Sequence, residues 1–179
     1  MSEWAKRLVV ALAAIWLSGA MAAAQTSDAV AQKKDWSIFK QGSAAERMCW
    51  IVSQPVSSSA TRGGSPVSVR RGDIFLMVTM KPGERINNQV SMIAGYPFRK
   101  GSSVKMQIGS DRFEMFTDAK VEGGAWADSD EMDNKLVSAM RRGANAVVTG
   151  VSSRGTTTKD TFSLLGFTAA LNEARKLCK

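Results

Sequence analysis

Short β-type segments separated by tight turns are the feature of this sequence that most constrains its fold. The clearest segment is residues 73–80, which are apolar at almost every position. This pattern is typical of a strand covered on both faces at the centre of a sheet. Other β-branched and aromatic segments lie at 36–39, 48–52, 90–93, 104–108, 112–116, 146–152 and 157–165. The rhythm predicts a mainly β domain, an antiparallel β-sandwich or a barrel-like structure.

One helix is predicted to interrupt these strands, and a short helix to end the chain. Asp128 or Ser129 is a suitable N-cap, acidic residues follow it, and Arg141-Arg142-Gly143 closes the helix. The C-terminal helix is predicted over residues 167–177. The inserted helix has an apolar stripe that we expect to be buried against the sheet, made of Met132, Leu136, Val137 and Met140.

The N-terminus has the pattern of a secretory signal peptide. Lys6 and Arg7 precede an uncharged stretch, and Ala22-Ala23-Ala24 offers a cleavage site before Gln25. The apolar core is about ten residues long, whereas a membrane-spanning helix needs about 20. A cleaved signal peptide at residues 1–24 is therefore favoured over the alternative, an uncleaved anchor. We expect no transmembrane segment in the mature chain.

The remaining chain is predicted to form one domain. Residues 25–34 are small, polar and charged, so we expect a flexible lead-in, with order beginning near Asp35. Residues 35–179 then make a single β-rich domain. Within it, the Ser-, Gly- and Pro-rich segment 54–67 is predicted to be a surface loop.

The numbers of cysteine and histidine residues limit which catalytic sites, metal sites and disulfides the chain can form. Histidine is absent, which excludes Ser-His-Asp and Cys-His nucleophilic sites and histidine-ligated metal sites. The two cysteines are Cys49 and Cys178. In an oxidising compartment such a pair predicts a single disulfide. The alternative is two free thiols, with Cys178 fraying near the chain end.

The chain is basic, with a formal net charge of +8. Its Lys and Arg residues are scattered rather than massed in one segment, and nucleic acid is not a natural partner for an exported protein. A protein or an anionic envelope surface fits better, through long-range attraction that salt weakens. The alternative is a charge that only keeps the domain soluble.

Two polar motifs have ordinary structural explanations. Arg71-Gly72-Asp73 spells an integrin-binding tripeptide, but it directly precedes the strand at 73–80, so a turn glycine with flanking charges is favoured. The acids at 128, 130, 131 and 133 lack the spacing of a calcium-binding loop and are typical of a helix N-terminus. We therefore predict no catalytic, cofactor-binding or metal-ligating residue.

The aromatic residues are either core residues or an exposed patch for a sugar or peptide; they include Trp36, Trp50, Tyr96, Phe98 and Trp126. Trp126 is the best candidate for an interaction residue, because it lies in a glycine-containing segment just before the inserted helix.

Several segments together carry a family resemblance. Residues 163–171 (SLLGFTAAL), preceded by 136–143 (LVSAMRRG), resemble the signature of the invasion-associated locus B family of bacterial envelope proteins. The Asp35-Trp36 pair and the segment 49–54 (CWIVSQ) agree with it, so the resemblance covers nearly all of the mature chain. It implies an exported, β-rich domain in the periplasm or at the outer membrane. It also implies no established catalytic activity, and a link to host-cell invasion in some pathogenic members.

The sequence departs from the family pattern at two places. Lys40 stands where a cysteine often follows the Asp-Trp pair, and residues 116–127 lack a cysteine pair that many members carry. The resemblance therefore supplies no disulfide pairing and no site residues.

Our leading hypothesis is a periplasmic or secreted protein, with outer-membrane association as a further option, that acts as a non-catalytic binding domain. One alternative is an envelope enzyme that uses a close carboxylate pair drawn from Asp111, Asp118, Asp128, Asp130 and Asp133. Another is a structural or chaperone-like domain that recognises exposed strands through an unpaired sheet edge.

Export predicts a defined N-terminus. We expect cleavage after Ala24, so that the protein recovered from the envelope begins at Gln25. Intact-mass measurement of the protein from the soluble envelope fraction decides this. A chain that still begins near Met1 in that fraction would contradict the prediction.

Overall fold

The computed structural model describes residues 29–43, 46–118 and 120–179. The predicted signal peptide and its cleavage site lie outside these residues. Within them the strands are β1 (Ala31–Lys33), β2 (Trp36–Gln41), β3 (Met48–Ser53), β4 (Ser57–Arg62), β5 (Ser65–Pro66), β6 (Phe75–Lys81), β7 (Ile86–Ile93), β8 (Val104–Ile108), β9 (Asp111–Thr117), β10 (Gly124–Trp126), β11 (Asn145–Val151) and β12 (Thr157–Ser163). The helices are α1 (Asp130–Arg142) and α2 (Phe167–Leu177). The predicted mainly β fold with an inserted helix and a C-terminal helix is confirmed.

All of these strands belong to one antiparallel sheet, which folds back on itself. Its order is β1-β2-β3-β6-β7-β10-β9-β8-β11-β12-β4-β5. Strands β2 and β12 lie near opposite ends of this order, yet the indole N–H of Trp36 donates to the carbonyl of Ser163 at 3.1 Å. The backbone N–H of Asp35 donates to the carbonyl of Leu165 at 3.4 Å. The two ends of the sheet therefore meet around one enclosed core.

The core lies between the two halves of the folded sheet and includes one face of each helix. Strands such as β3 and β12 bury every second residue, as expected when one face of a sheet is covered. The largest fully buried side chains are Trp36, Ile38, Ile51, Leu76, Met92, Met106, Met115, Leu136, Met140, Phe162, Phe167 and Leu171.

Buried and partly exposed residues alternate along β6 as well. The prediction that both faces of this strand are covered is therefore wrong. Leu76, Val78 and Met80 are buried, while Phe75 and Met77 are only partly covered. The helices contribute their buried residues to the single core on the other side of the sheet. Of the outward side chains of β6, Phe75 and Met77 are apolar although solvent reaches them, and Thr79 and Lys81 are polar.

Two segments have more strand than the sequence indicated. The predicted loop 54–67 contains β4 and β5, joined at Gly63 and Gly64, whose φ angles of 56° and 84° suit a tight hairpin turn. Strand β4 pairs with β12, but its Ser and Thr side chains are largely exposed, so it has no apolar alternation to reveal it. Strand β1 pairs with β2, so ordered structure begins before Asp35.

Helix α1 begins and packs as predicted. Ser129 is its N-cap, and the Ser129 hydroxyl accepts a hydrogen bond from the Met132 backbone N–H at 3.3 Å. Leu136 and Met140 are fully buried. No helix in the described part of the chain is long and apolar enough to span a membrane.

Helix α2 is held to the sheet by an aromatic contact and a disulfide. The ring of Phe167 meets that of Trp36 edge to face, with centroids 5.0 Å apart. Cys178, the residue that caps the end of α2, is bonded to Cys49 in β3, with a Cα–Cα distance of 5.8 Å. The predicted disulfide is confirmed, and it fastens the last helix to an inner strand.

We expect loss of this disulfide to destabilise the fold strongly. It closes a loop of 129 residues, for which chain entropy gives about 4–5 kcal/mol as an upper value. Urea unfolding of the oxidised protein, the reduced protein and the Cys49→Ala/Cys178→Ala variant measures the effect. The variant should match the reduced protein and should not respond to reductant. Equal midpoints for oxidised and reduced protein would contradict the prediction.

Candidate functional site

Trp126 lies on the solvent-facing side of the sheet. In β10 it pairs with Ser91 of β7 on one side and with Phe116 of β9 on the other. The rings of Trp126 and Phe116 are 6.0 Å apart, and Phe116 is 47% exposed. Trp126 itself is half-buried, since its indole lies across Gly124, where any β-carbon would collide with the ring. The glycine that precedes this tryptophan therefore lets it lie flat on the sheet.

Trp126 belongs to a larger patch on the outer side of β2, β3, β6, β9 and β10. Phe39 pairs with Trp50, and their rings stack with centroids 5.4 Å apart and an interplanar angle of 7°. The register continues on this side of the sheet because residues directly opposite one another point to the same face. We call this patch the aromatic face, and its members are Phe39, Trp50, Val52, Met77, Phe116 and Trp126.

The carboxylates considered as catalytic or calcium-binding candidates do not gather in a cleft. Asp128 and Asp130 are exposed at the start of α1. Asp111 reaches Arg142 at 3.7 Å on the surface, and Asp118 accepts a hydrogen bond from the backbone N–H of Lys120. No group of three or more Cys, Asp or Glu side chains in the described residues is arranged to hold a metal ion.

Asp133 is the buried member of the acidic helix start. Its carboxylate accepts a hydrogen bond of 2.7 Å from the backbone N–H of Val90 in β7. Burial raises the pKa of Asp133 from 3.8 to about 6, the Val90 bond opposes the rise, and Asp130 and Asp128 add to it. This side chain docks α1 onto the sheet.

Asp160 in β12 is a carboxylate that the sequence analysis did not single out, and it is fully buried. It forms a two-pronged ion pair with Arg71, with both N–O distances 2.7 Å. The Ser58 hydroxyl donates to the same carboxylate at 2.7 Å. Arg71 also donates to the carbonyl of Ala94 from Nε and Nη2. We call this group the buried ion pair.

An aromatic side chain completes the surroundings of the buried ion pair. The Arg71 guanidinium lies 4.9 Å from the centre of the Tyr96 ring. The Tyr96 hydroxyl shares a hydrogen bond of 2.6 Å with the Thr158 hydroxyl. Burial raises the pKa of Tyr96, so the phenol stays neutral and available for this bond.

Arg71 is thus a structural cation, and the Arg71-Gly72-Asp73 tripeptide does not present it to solvent: its side chain is only 8% exposed. A signal for the pairing was present in β12. Every second side chain of that strand is buried, and Asp160 is one of these, between Thr158 and Phe162. A buried carboxylate requires a cation to balance its charge. Nothing in the sequence identified which of the many Arg and Lys residues would supply it.

The family model for the invasion associated locus B (IalB) protein matches residues 36–175. The chain belongs to this family. The IalB resemblance inferred from residues 136–143 and 163–171 is therefore confirmed.

A solved structure agrees with this IalB assignment. The crystal structure of invasion associated protein B from Bartonella henselae superimposes with a TM-score of 0.56 at 17% identity, over 82% of this chain and 95% of that chain. At this identity the similarity extends to the fold. No curated protein matches the sequence.

Breaking the buried ion pair should destabilise the protein by about 3–5 kcal/mol. Asp160→Asn leaves the Arg71 charge buried without its partner. Asp111→Asn, which alters only a surface contact with Arg142, is the matched control and should cost less than about 0.5 kcal/mol. Urea unfolding provides the measurement. The Arg71→Met/Asp160→Leu variant should be less destabilised than Asp160→Asn, and similar losses for Asp160→Asn and the control would contradict the role.

The raised pKa of Asp133 predicts a pH dependence of stability. Between pH 3.8 and about 6 the folded chain binds this proton more tightly than the unfolded chain, so stability is greatest at low pH and falls as pH rises to about 6. Relative to Asp133→Asn, the wild type should lose about 1–2 kcal/mol over this range, allowing for solvent screening. The difference should level off about one pH unit above this pKa. Unfolding free energies of both proteins from pH 4 to 8 test this, and a difference independent of pH would contradict it.

Proposed function

We propose that this IalB-family protein is exported to the periplasm or secreted, and acts there as a non-catalytic binding domain whose partner is an acidic protein. The aromatic face is the observation that carries the proposal. Association with the outer membrane would follow from binding a partner that resides there.

The composition and shape of the aromatic face favour a protein partner. Tryptophan, phenylalanine and methionine are enriched in protein interfaces, and buried aromatic residues often carry most of the binding energy. The face lies on a sheet rather than in a pocket, whereas small-ligand sites are usually concave. The Phe39–Trp50 stack and the Phe116–Trp126 contact also fix four rings before any partner arrives, which lowers the entropy cost of binding.

The net charge of this protein indicates which type of residue surrounds the apolar centre of the partner's binding surface. The chain carries a formal net charge of +8. Such a protein attracts acidic surfaces over long range, and salt weakens the attraction. An acidic rim around an apolar centre therefore fits this face best.

The two alternative functions have less support. The candidate carboxylates Asp111, Asp118, Asp128 and Asp130 are exposed. The buried one, Asp133, accepts the Val90 backbone N–H, so the set does not supply the buried, close pair in a cleft that hydrolytic chemistry uses. Recognition of strands through a sheet edge would use the terminal strands β1 or β5, or the parts of β2 and β4 that these leave unpaired. The edge is thus broken into short pieces. Strands β1 and β5 have three and two residues, and such short edges discourage strand addition.

Site-specific photo-crosslinking in intact cells tests the proposal. A photoreactive residue at Phe116 and another at Trp50 should capture the same protein, because both positions lie on the aromatic face. The control position is Leu165, an apolar residue that is 61% exposed outside this face, and it should not capture that protein. Capture of the same abundant proteins from all three positions would contradict the proposal, as would capture of lipid or saccharide alone.

The affinity for the purified partner measures how much a side chain of the aromatic face contributes to binding. Phe116→Ser should weaken it about tenfold, the effect of losing about 1.4 kcal/mol at an aromatic contact. Leu165→Ser, which removes an even more exposed apolar side chain elsewhere, should leave the affinity unchanged. Equal effects of the two variants would show that the contact is not specific to the aromatic face.

A further inference from the structure

A cleft of about 470 Å³ lies beside the buried ion pair and is independent of the aromatic face. Four arginines from three separate segments line it: Arg62 from β4, Arg70 and Arg71 from the segment before β6, and Arg154 from the turn between β11 and β12. Convergence of residues so distant in sequence depends on the folded-back sheet, so this cleft exists only in the native protein. We call it the arginine cleft.

The arginine cleft has an excess of positive charge. Arg71 is neutralised by Asp160. Arg62, Arg70 and Arg154 have no carboxylate within ion-pair distance among residues 29–43, 46–118 and 120–179. Of the described residues that line the cleft, Glu122 is the one that carries a negative charge. Three guanidinium groups therefore face one carboxylate.

Hydrogen bonds hold two walls of the arginine cleft in place. Arg62 donates from Nε and Nη2 to the Thr156 hydroxyl at 3.1 and 2.7 Å. The Thr156 backbone N–H in turn donates to the Ser152 hydroxyl at 3.1 Å. The Arg62 side chain is thus ordered on a turn that is itself fixed, which reduces the entropy lost when it binds a ligand.

The segment that carries Arg70 is fixed by a close backbone contact. The Gly72 N–H donates to the Gly95 carbonyl at 2.9 Å. Gly95 has a φ of +70°, and a β-carbon there would collide with the Gly72 backbone, so the glycine at 95 permits the approach. Arg71, between Arg70 and Gly72, is anchored to Asp160. The neighbouring Arg70 is therefore held at the rim of the cleft.

We propose that the arginine cleft binds a phosphate group, with Arg62, Arg70 and Arg154 as its ligands. Planar guanidinium groups match the oxygens of phosphate in pairs and form short, charge-assisted hydrogen bonds. The volume lies within the range of small-ligand sites, about 300–1,000 Å³. The phosphate belongs either to a small soluble molecule or to a lipid headgroup, and both present the same oxygens to the arginines.

The test compares two charge-matched variants of the full mature protein. Arg70→Ala/Arg154→Ala removes two exposed arginines of the cleft. Lys105→Ala/Arg112→Ala removes two exposed cations of β8 and β9, which do not line it. Both variants lose the same charge, and their folding is checked by thermal unfolding.

Two probes separate the sources of phosphate. Titration calorimetry with inorganic pyrophosphate reports on small ligands, and co-flotation with vesicles of phosphatidylglycerol and phosphatidylcholine reports on headgroups. At physiological salt, the cleft variant should bind at least one probe about tenfold more weakly than the wild type, and the control variant within about twofold. Loss for pyrophosphate indicates a soluble ligand, and loss for vesicles alone indicates a headgroup.

Two outcomes would overturn the proposal. One is equal weakening in the two variants, which would mean that only the overall positive charge matters. The other is a wild-type protein that binds neither probe at physiological salt. Neither outcome tests the aromatic face, so each of the two proposals can be refuted without the other.

Discussion

The ion pair between Arg71 and Asp160 is the interaction on which the arrangement of the two sheet halves depends. Asp160 belongs to β12, close to one end of the strand order, while Arg71 also binds the carbonyl that follows β7, in the other half. A buried charge that lacks its partner is far more costly than a buried apolar residue. The sheet therefore has one way of folding back that satisfies both charges, and other registers leave a carboxylate or a guanidinium stranded in the core.

The general form of the domain could be predicted because its signals are local. Helix α1 carries its own cap, acidic first turn and apolar stripe. A few neighbouring residues therefore predicted the burial of Leu136 and Met140, and narrowed the cap to two adjacent residues, of which the structure uses Ser129. The disulfide followed from a count of two cysteines. Family membership was visible from residues 136–143 and 163–171, because these segments combine turn and core positions that a fold of this kind must keep together.

The incorrect or missing predictions share one physical cause. Contacts between residues that are distant in sequence are not visible in the local sequence pattern. Strand β4 is polar on both faces and is a strand only because β12 accepts it as a neighbour. Strand β6 has the apolar residues Phe75 and Met77 on its outward face, yet only the other face meets the core. The partner of Asp160 could not be chosen among so many cations. Of the aromatic face, only Trp50 and Trp126 were among the residues considered for an exposed patch, since cross-strand register decides which other rings join them.

The disulfide also has a consequence for the order of events in a chain that is exported as proposed. Translocation delivers residues from the N-terminus onwards, and Cys178 follows Cys49 at a sequence separation of 129. Cys49 therefore waits for this long segment to cross before its native partner arrives on the oxidising side. With two cysteines in the chain, no wrong intramolecular pairing competes during that wait. The disulfide then forms only in molecules whose C-terminal helix has packed against the sheet, and it stabilises that last step of folding.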